Sequence, residues 1–117
     1  MLWRTLGTYQ IDRYPMASPS PQQLEKHIRR SALDTANVLF QLHAKQRMRQ
    51  RHVTPAMVYE ALQKGKLTAT PEPDPRYQGL RCRMQRFVAG VDLAVVVYVD
   101  MPKPDLVVIT VFSVEGA

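Results

Sequence analysis

The chain has 117 residues, 45% of them hydrophobic, and a single cysteine, Cys82. That fits one domain with a real core, and it excludes an internal disulfide and chain-wide disorder. The formal net charge is +6, and the longest apolar runs, 93–99 and 106–112, are too short to span a membrane as helices.

Residues 1–20 read as a flexible N-terminal arm, and 21–117 as a single domain. The stretch YPMASPSPQ is rich in Pro and Ser, and Met16 within it is a candidate start. The start MLWRTLGTYQIDRYP lacks the unbroken apolar core of a signal peptide. A cytoplasmic protein with no membrane partner is therefore expected. Ser20-Pro21 signals the start of a first helix, with Leu24, Ile28 and Leu33 near helical spacing. DTANVLF either continues that helix or breaks it before a second one that carries His43. Thr54-Pro55 then reads as the cap and first residue of a third helix, with Met57, Val58, Ala61 and Leu62 as its apolar stripe and Gly65 as its terminator.

Beyond Gly65 the pattern changes from helix to strand. KLTAT is a short strand candidate and PEPDP a loop. Residues 80–88, 93–99 and 106–112 are three longer strand candidates, joined by connections of hairpin length. The expected fold is α+β, with two or three N-terminal helices packed on an antiparallel sheet of about four strands.

The positive charge is concentrated in two runs. Lys45, Arg47, Arg49 and Arg51 fall within 43–51, and Arg76, Arg81, Arg83 and Arg86 within 76–86; these runs sum to +8 and the rest of the chain to −2. Clustering of this kind points to a polyanionic partner. His43, Arg47 and Arg51 are spaced i, i+4 and i+8, which spans about 80° on a helix and puts all three on one stripe. Ala44 and Met48 form the adjoining edge and are expected to pack on the sheet. Arg81, Arg83 and Gln85 alternate with Cys82 and Met84, so one face of that strand is basic. Thr110, the polar residue of LVVITVF, is expected to share a face with Val108 and Phe112.

These residue types suit RNA cleavage without a metal. Histidine titrates near neutral pH and can take or give a proton. Arginine stays charged and holds phosphate oxygens bidentately, and a hydroxyl such as that of Thr110 can orient one. His43, Arg47, Arg51 and Thr110 are accordingly the candidate catalytic residues, with Lys45, Arg49, Arg81 and Arg83 as nucleic-acid contacts. Each also has a plainer interpretation, as a solvated basic helix and a strand-favouring threonine. His27 and His52 read as surface residues. The sequence has no glycine-rich phosphate loop, no zinc-spaced Cys/His cluster and no nucleophile elbow. No cofactor or metal is expected.

The run NVLFQLHAKQRMRQRHVTPAMVYEALQKGKL, the arginine strand, and GVDLAVVVYVDMPKPDLVVITVF together resemble a small bacterial family of unknown function, over roughly residues 37–113. That family has a His-Ala-x-x-Arg-Met-x-x-Arg helix. It is similar to the ribonuclease toxins that include barnase, EndoU, the colicin nucleases and the RelE type. The resemblance implies helices on an antiparallel sheet, metal-independent RNA cleavage, and His43, Arg47, Arg51 and Thr110 as the matching positions. It also implies an acidic antitoxin or immunity protein as a partner. Gln41 stands where relatives often carry a Ser or Thr helix cap. Three functions follow: an RNA endonuclease, a non-catalytic nucleic-acid binder, or an accessory protein that binds an acidic protein.

Overall fold

The first helix, α1 (Pro21–Ala32), begins where Ser20 supplies both halves of a capping box. Its hydroxyl accepts from the Gln23 N–H, and the Gln23 side chain accepts from the Ser20 N–H. A computed structural model describes residues 19–114; the arm up to residue 18 lies outside them. In chain order there follow a 3-10 turn (Thr35–Asn37), β1 (Val38–Phe40), α2 (Leu42–Gln50), α3 (Pro55–Lys64), β2 (Lys66–Leu67), β3 (Glu72–Pro73), β4 (Leu80–Val88), β5 (Val91–Val99) and β6 (Leu106–Ser113). The protein is α+β, with its helices ahead of the long strands.

The sheet runs β1-β6-β5-β4-β2, with β3 also paired to β4. The meander β4-β5-β6 is antiparallel, and β5 is interior, as the hairpin-length connections require. Two features differ from expectation. The sheet has six strands, because Val38–Phe40 and the two-residue Glu72–Pro73, in the stretch expected as a loop, add to the four expected. It is also mixed, because Val38–Phe40 leaves the helical region and pairs in parallel with Leu106–Val108. Three apolar residues are too few to declare a strand by periodicity.

One face of the sheet carries the core. Cys82, Met84, Leu93, Val95, Val97, Val99, Leu106, Val108 and Val111 are buried there against Leu24, Ile28, Ala44, Met48, Val58 and Leu62 of the three helices. Each fully buried Val or Leu contributes about 1.5–3 kcal/mol relative to exposure. The opposite face carries Arg81, Arg83, Gln85, Val96, Tyr98, Val107, Thr110 and Phe112, all of them half-buried. A bulge in β6 settles the last assignments. Val97 pairs with Val108 and Val96 with Thr110, leaving Ile109 as an extra residue. The inserted residue reverses the alternation. Thr110 therefore shares its face with Phe112 but not with Val108, which is in the core.

Thr54 caps α3 by accepting from the Met57 N–H at 3.2 Å. Thr54→Ala should cost about 1 kcal/mol, read as a lower urea midpoint at unchanged slope. An unchanged midpoint would mean that this cap does not hold the helix.

Candidate functional site

The helix α2 is short and highly charged, and it is held by tertiary contact more than by its own sequence. Ala44 and Met48 are its buried stripe, and the helix packs chiefly against β6. Successive residues turn by about 100°. His43 and Arg47 therefore stand on one flank of that stripe, and Lys45 and Arg49 on the other. His43 is exposed and Arg47 half-buried. The Arg47 Nε–H donates to His43 Nε2 at 3.4 Å, and an Arg47 terminal nitrogen reaches Gln50 Oε1 at 3.5 Å. Arg51 ends the helix as its C-cap, with φ −106° and ψ 8°, and its N–H still donates to the Arg47 carbonyl at 3.0 Å. The chain turns away there, and His52 takes the left-handed conformation at φ 56°.

The start of α2 is open. Gln41 occupies the N-cap but makes no side-chain cap bond, and the first turn has no acid. The leading N–H groups of such a helix point outward with the positive end of its dipole. The Gln41 N–H donates to the Val108 carbonyl at 3.1 Å, extending the β1–β6 pairing by one step. From that bond, His43 lies two residues on along one chain and Thr110 two residues on along the other.

Next to this junction, the open face of the sheet holds a cleft of about 650 Å³. Leu39, Val107, Tyr98 and Arg81 form one cross-strand row along its floor. Gln41 and Ile109 line it as well, whereas His43, Arg47, Arg83 and Thr110 do not. Arg83 donates to the Thr68 hydroxyl at 2.9 Å. It shares a row with Thr110, since both pair with Val96. Two strand spacings separate them, about 10 Å. Arg86 points to the helix side and pairs with Glu60 at 3.0 Å.

One wall of the cleft is built around Asp74. Its carboxylate accepts from the backbone N–H groups of Arg76 (2.8 Å) and Tyr77 (3.0 Å) and from Arg81 Nε (3.0 Å), and its side chain is 5% exposed. The Arg76 N–H contributes most to holding this carboxyl below its ordinary value, and Arg81 and the Tyr77 N–H add to it, against an opposing effect of desolvation. A depressed carboxyl stabilises the fold above its ordinary range near 3.8. That contribution is lost as pH falls through the lowered value. Asp74→Ala should speed amide exchange at Arg76 and Tyr77 at neutral pH and leave the core amides protected. Unchanged exchange at those two residues would show that the carboxylate does not organise the loop.

Sequence reasoning missed Tyr77, Tyr98, Gln41 and Asp105 as cleft residues. Tyr98 was visible as the aromatic of β5, but its face depends on register. Its hydroxyl accepts the Gly79 N–H at 2.9 Å, and its ring meets that of Tyr77 edge-on at 5.8 Å. His27 also has a partner. Its Nε2 donates to the Lys103 carbonyl at 2.8 Å, tying α1 to the β5–β6 connection. Burial pushes the Cys82 thiol up to about 12, so it remains an un-ionised core side chain.

Among the described residues no three His, Cys, Asp or Glu side chains gather as a metal site. No described helix is long and apolar enough to cross a membrane. No curated protein and no solved structure matches the chain. A family model described as a domain of unknown function, DUF4258, matches residues 40–113. That span runs from the end of β1 through α2, α3 and the open cleft to the last residue of β6, more than half of the sequence, and the chain belongs to the DUF4258 family.

Proposed function

We propose that this protein is a metal-independent RNA endonuclease of the toxin type, acting in the cytoplasm. The observation that carries the reading is the His43–Arg47 contact on the first two turns of a helix whose N-terminus is uncapped and borders a cleft. An open helix N-terminus and an arginine favour a phosphate at that place. The imidazole beside it accepts from Arg47, which leaves its other nitrogen as the N–H bearer.

In the reaction, an RNA phosphate binds between the α2 N-terminus and Arg47. Its charge draws Arg47 away from His43 Nε2 and frees the ring lone pair. His43 takes the proton of the 2′-hydroxyl, and the 2′-oxygen attacks phosphorus. The bond to the 5′-oxygen breaks, leaving a 2′,3′-cyclic phosphate, and the leaving oxygen receives a proton from water or from the imidazolium. Arg47 and Arg51 stabilise the charge on the pentacoordinate phosphorus, and Thr110 orients one of its oxygens. Arg81 and Arg83 on the open face of the sheet, and Lys45 and Arg49 on the other flank of α2, are the further cationic contacts for RNA. An acidic antitoxin or immunity protein would cover the same surface. Incubating the purified chain with total RNA in EDTA, beside His43→Ala, tests the reading.

A second reading has its own support. His43 is exposed, and Arg47 is its hydrogen-bond partner among the described residues. That leaves the imbalance of charge to act alone, in a protein that binds RNA or another polyanion without cutting it.

A further inference from the structure

The sheet has cover on one face only. Among the described residues the three helices pack on the core side, and no element lies on the other. That open face is largely apolar. Val96, Tyr98, Val107, Ile109 and Phe112 are half-buried on it, and Leu39 and Phe87 stand 50% and 69% exposed. An apolar surface of this extent marks a place where something docks. The charges beside it are mostly matched. Asp74 holds Arg81, and Asp100 holds Lys103 at 3.6 Å. Asp105, two residues past Lys103 on the same rim, is exposed and makes no ion pair with another described residue.

The chain itself carries a segment that fits, in the residues ahead of the described part. Trp3, Tyr9, Ile11 and Arg13 fall on one parity, and Arg4, Thr8, Gln10 and Asp12 on the other, with Leu6 the exception. An extended segment turns these two sets to opposite sides. Trp, Tyr, Ile and Thr also favour an extended backbone. The attachment point lies close by. His27 donates to the Lys103 carbonyl at 2.8 Å, and Lys103 lines the cleft. Ser20 is about 10 Å from His27 along α1, so the chain leaves within about 20 Å of the rim. Residues 14–19, extended, span that gap, which brings Arg13 to the rim where Asp105 stands. Residues 1–13 then have about 40 Å of reach, and the row from Leu39 to Arg81 crosses about 14 Å. We propose that residues 1–13 lie extended across the open face of their own sheet, with Arg13 on Asp105 and with Ile11, Tyr9 and Trp3 on its apolar residues. Little intrinsic affinity is needed. Tethering gives an effective concentration on the order of 1 mM, so an interaction of about 0.1 mM keeps the segment seated about ten times in eleven. This inference goes beyond the cleavage reading and stands without it. Where RNA uses the same face, the segment has to leave first.

Trp3 is the chain's only tryptophan, so the emission of the full-length protein reports this segment alone. It is expected to lie to the blue of tryptophan in water and to resist acrylamide quenching several-fold. Arg13→Glu should undo both by setting like charges together, and Arg13→Glu combined with Asp105→Arg should restore them. Asp105 is exposed, so its replacement should keep the wild-type thermal midpoint. A second measurement gives the place. Cys82 is buried, so a nitroxide reacted with the Thr8→Cys variant attaches at residue 8. It should broaden the amides of Tyr98, Val107 and Thr110 more than those of Val58 and Leu62, which lie beyond the sheet in α3. Broadening confined to the helix side, or a double variant that does not recover, would overturn the proposal. So would wild-type Trp3 emission like that of tryptophan in water. With a dimer by sedimentation, that result would give the face to a second copy, and with a monomer, to a separate partner.

Discussion

His43→Ala is expected to lower EDTA-resistant RNA cleavage by about 10²–10⁴-fold, the range that one general acid–base group supplies. RNA affinity should change by less than about twofold, because a neutral imidazole adds little to phosphate attraction. The substitution is safe for the fold, since His43 is exposed and its hydrogen-bond partner among the described residues is Arg47, on the same helix. Arg47→Ala should behave differently. It removes a fixed cation, so binding weakens and the slope of log affinity against log salt falls by about 0.7, the value for one phosphate contact on a single strand. The two variants together separate chemistry from attraction. If His43→Ala cuts as fast as the wild type, the proposed base is wrong. If the wild type binds RNA with a steep salt dependence and never cuts it, the protein is a binder, and α2 is a positively charged surface and nothing more.

The parts of this protein that were legible in the sequence are those set by local chemistry. Ser20-Pro21 and Thr54-Pro55 announced two helix starts because a capping hydroxyl and a proline at the first position act within four residues. The β4-β5-β6 meander was legible because long apolar runs separated by short polar turns admit few alternatives. What escaped depends on register and on distance. Ile109 looks like any other strand residue until β5 is laid beside it and a bulge moves Val108 to the core. The end of α2 escaped as well, because the helix period carries past Gln50 while the backbone stops there and leaves Arg51 as the C-cap. The cleft was hidden for a third reason. Asp74 organises Arg76, Tyr77 and Arg81 through one carboxylate, but the cleft needs Leu39 and Asp105 from segments more than thirty residues before and after it.

Gly65→Ala is expected to destabilise the protein by about 3 kcal/mol, the upper part of the range for overpacking a tight site. That is a large share of the roughly 5–15 kcal/mol that holds a domain together. The cause is space and not torsion. Gly65 has φ −76° and ψ −179°, a conformation any residue adopts. An added Cβ would run into the Ala61 carbonyl oxygen and lie 2.8 Å from that of Gln85. Both are backbone atoms, so neither can swing aside. Moving Ala61 stretches the Gly65 N–H bond that closes α3, now 2.9 Å. Moving Gln85 disturbs the pairing of Lys66 with β4, the strand that carries Arg81 and Arg83. The Gly65 carbonyl also accepts Arg29 Nε at 2.8 Å and Nη2 at 2.6 Å, so a shift there reaches α1 as well. Gly90 is the control. It has φ +79° with nothing within 4 Å of an added Cβ, so Gly90→Ala meets only the left-handed penalty of about 1–2 kcal/mol. Urea denaturation of the two variants should rank Gly65→Ala as the more damaging at equal slope. The reverse order would show that α3 and β4 do not meet as closely as described, and that the basic strand is not fixed to the helices through Gly65.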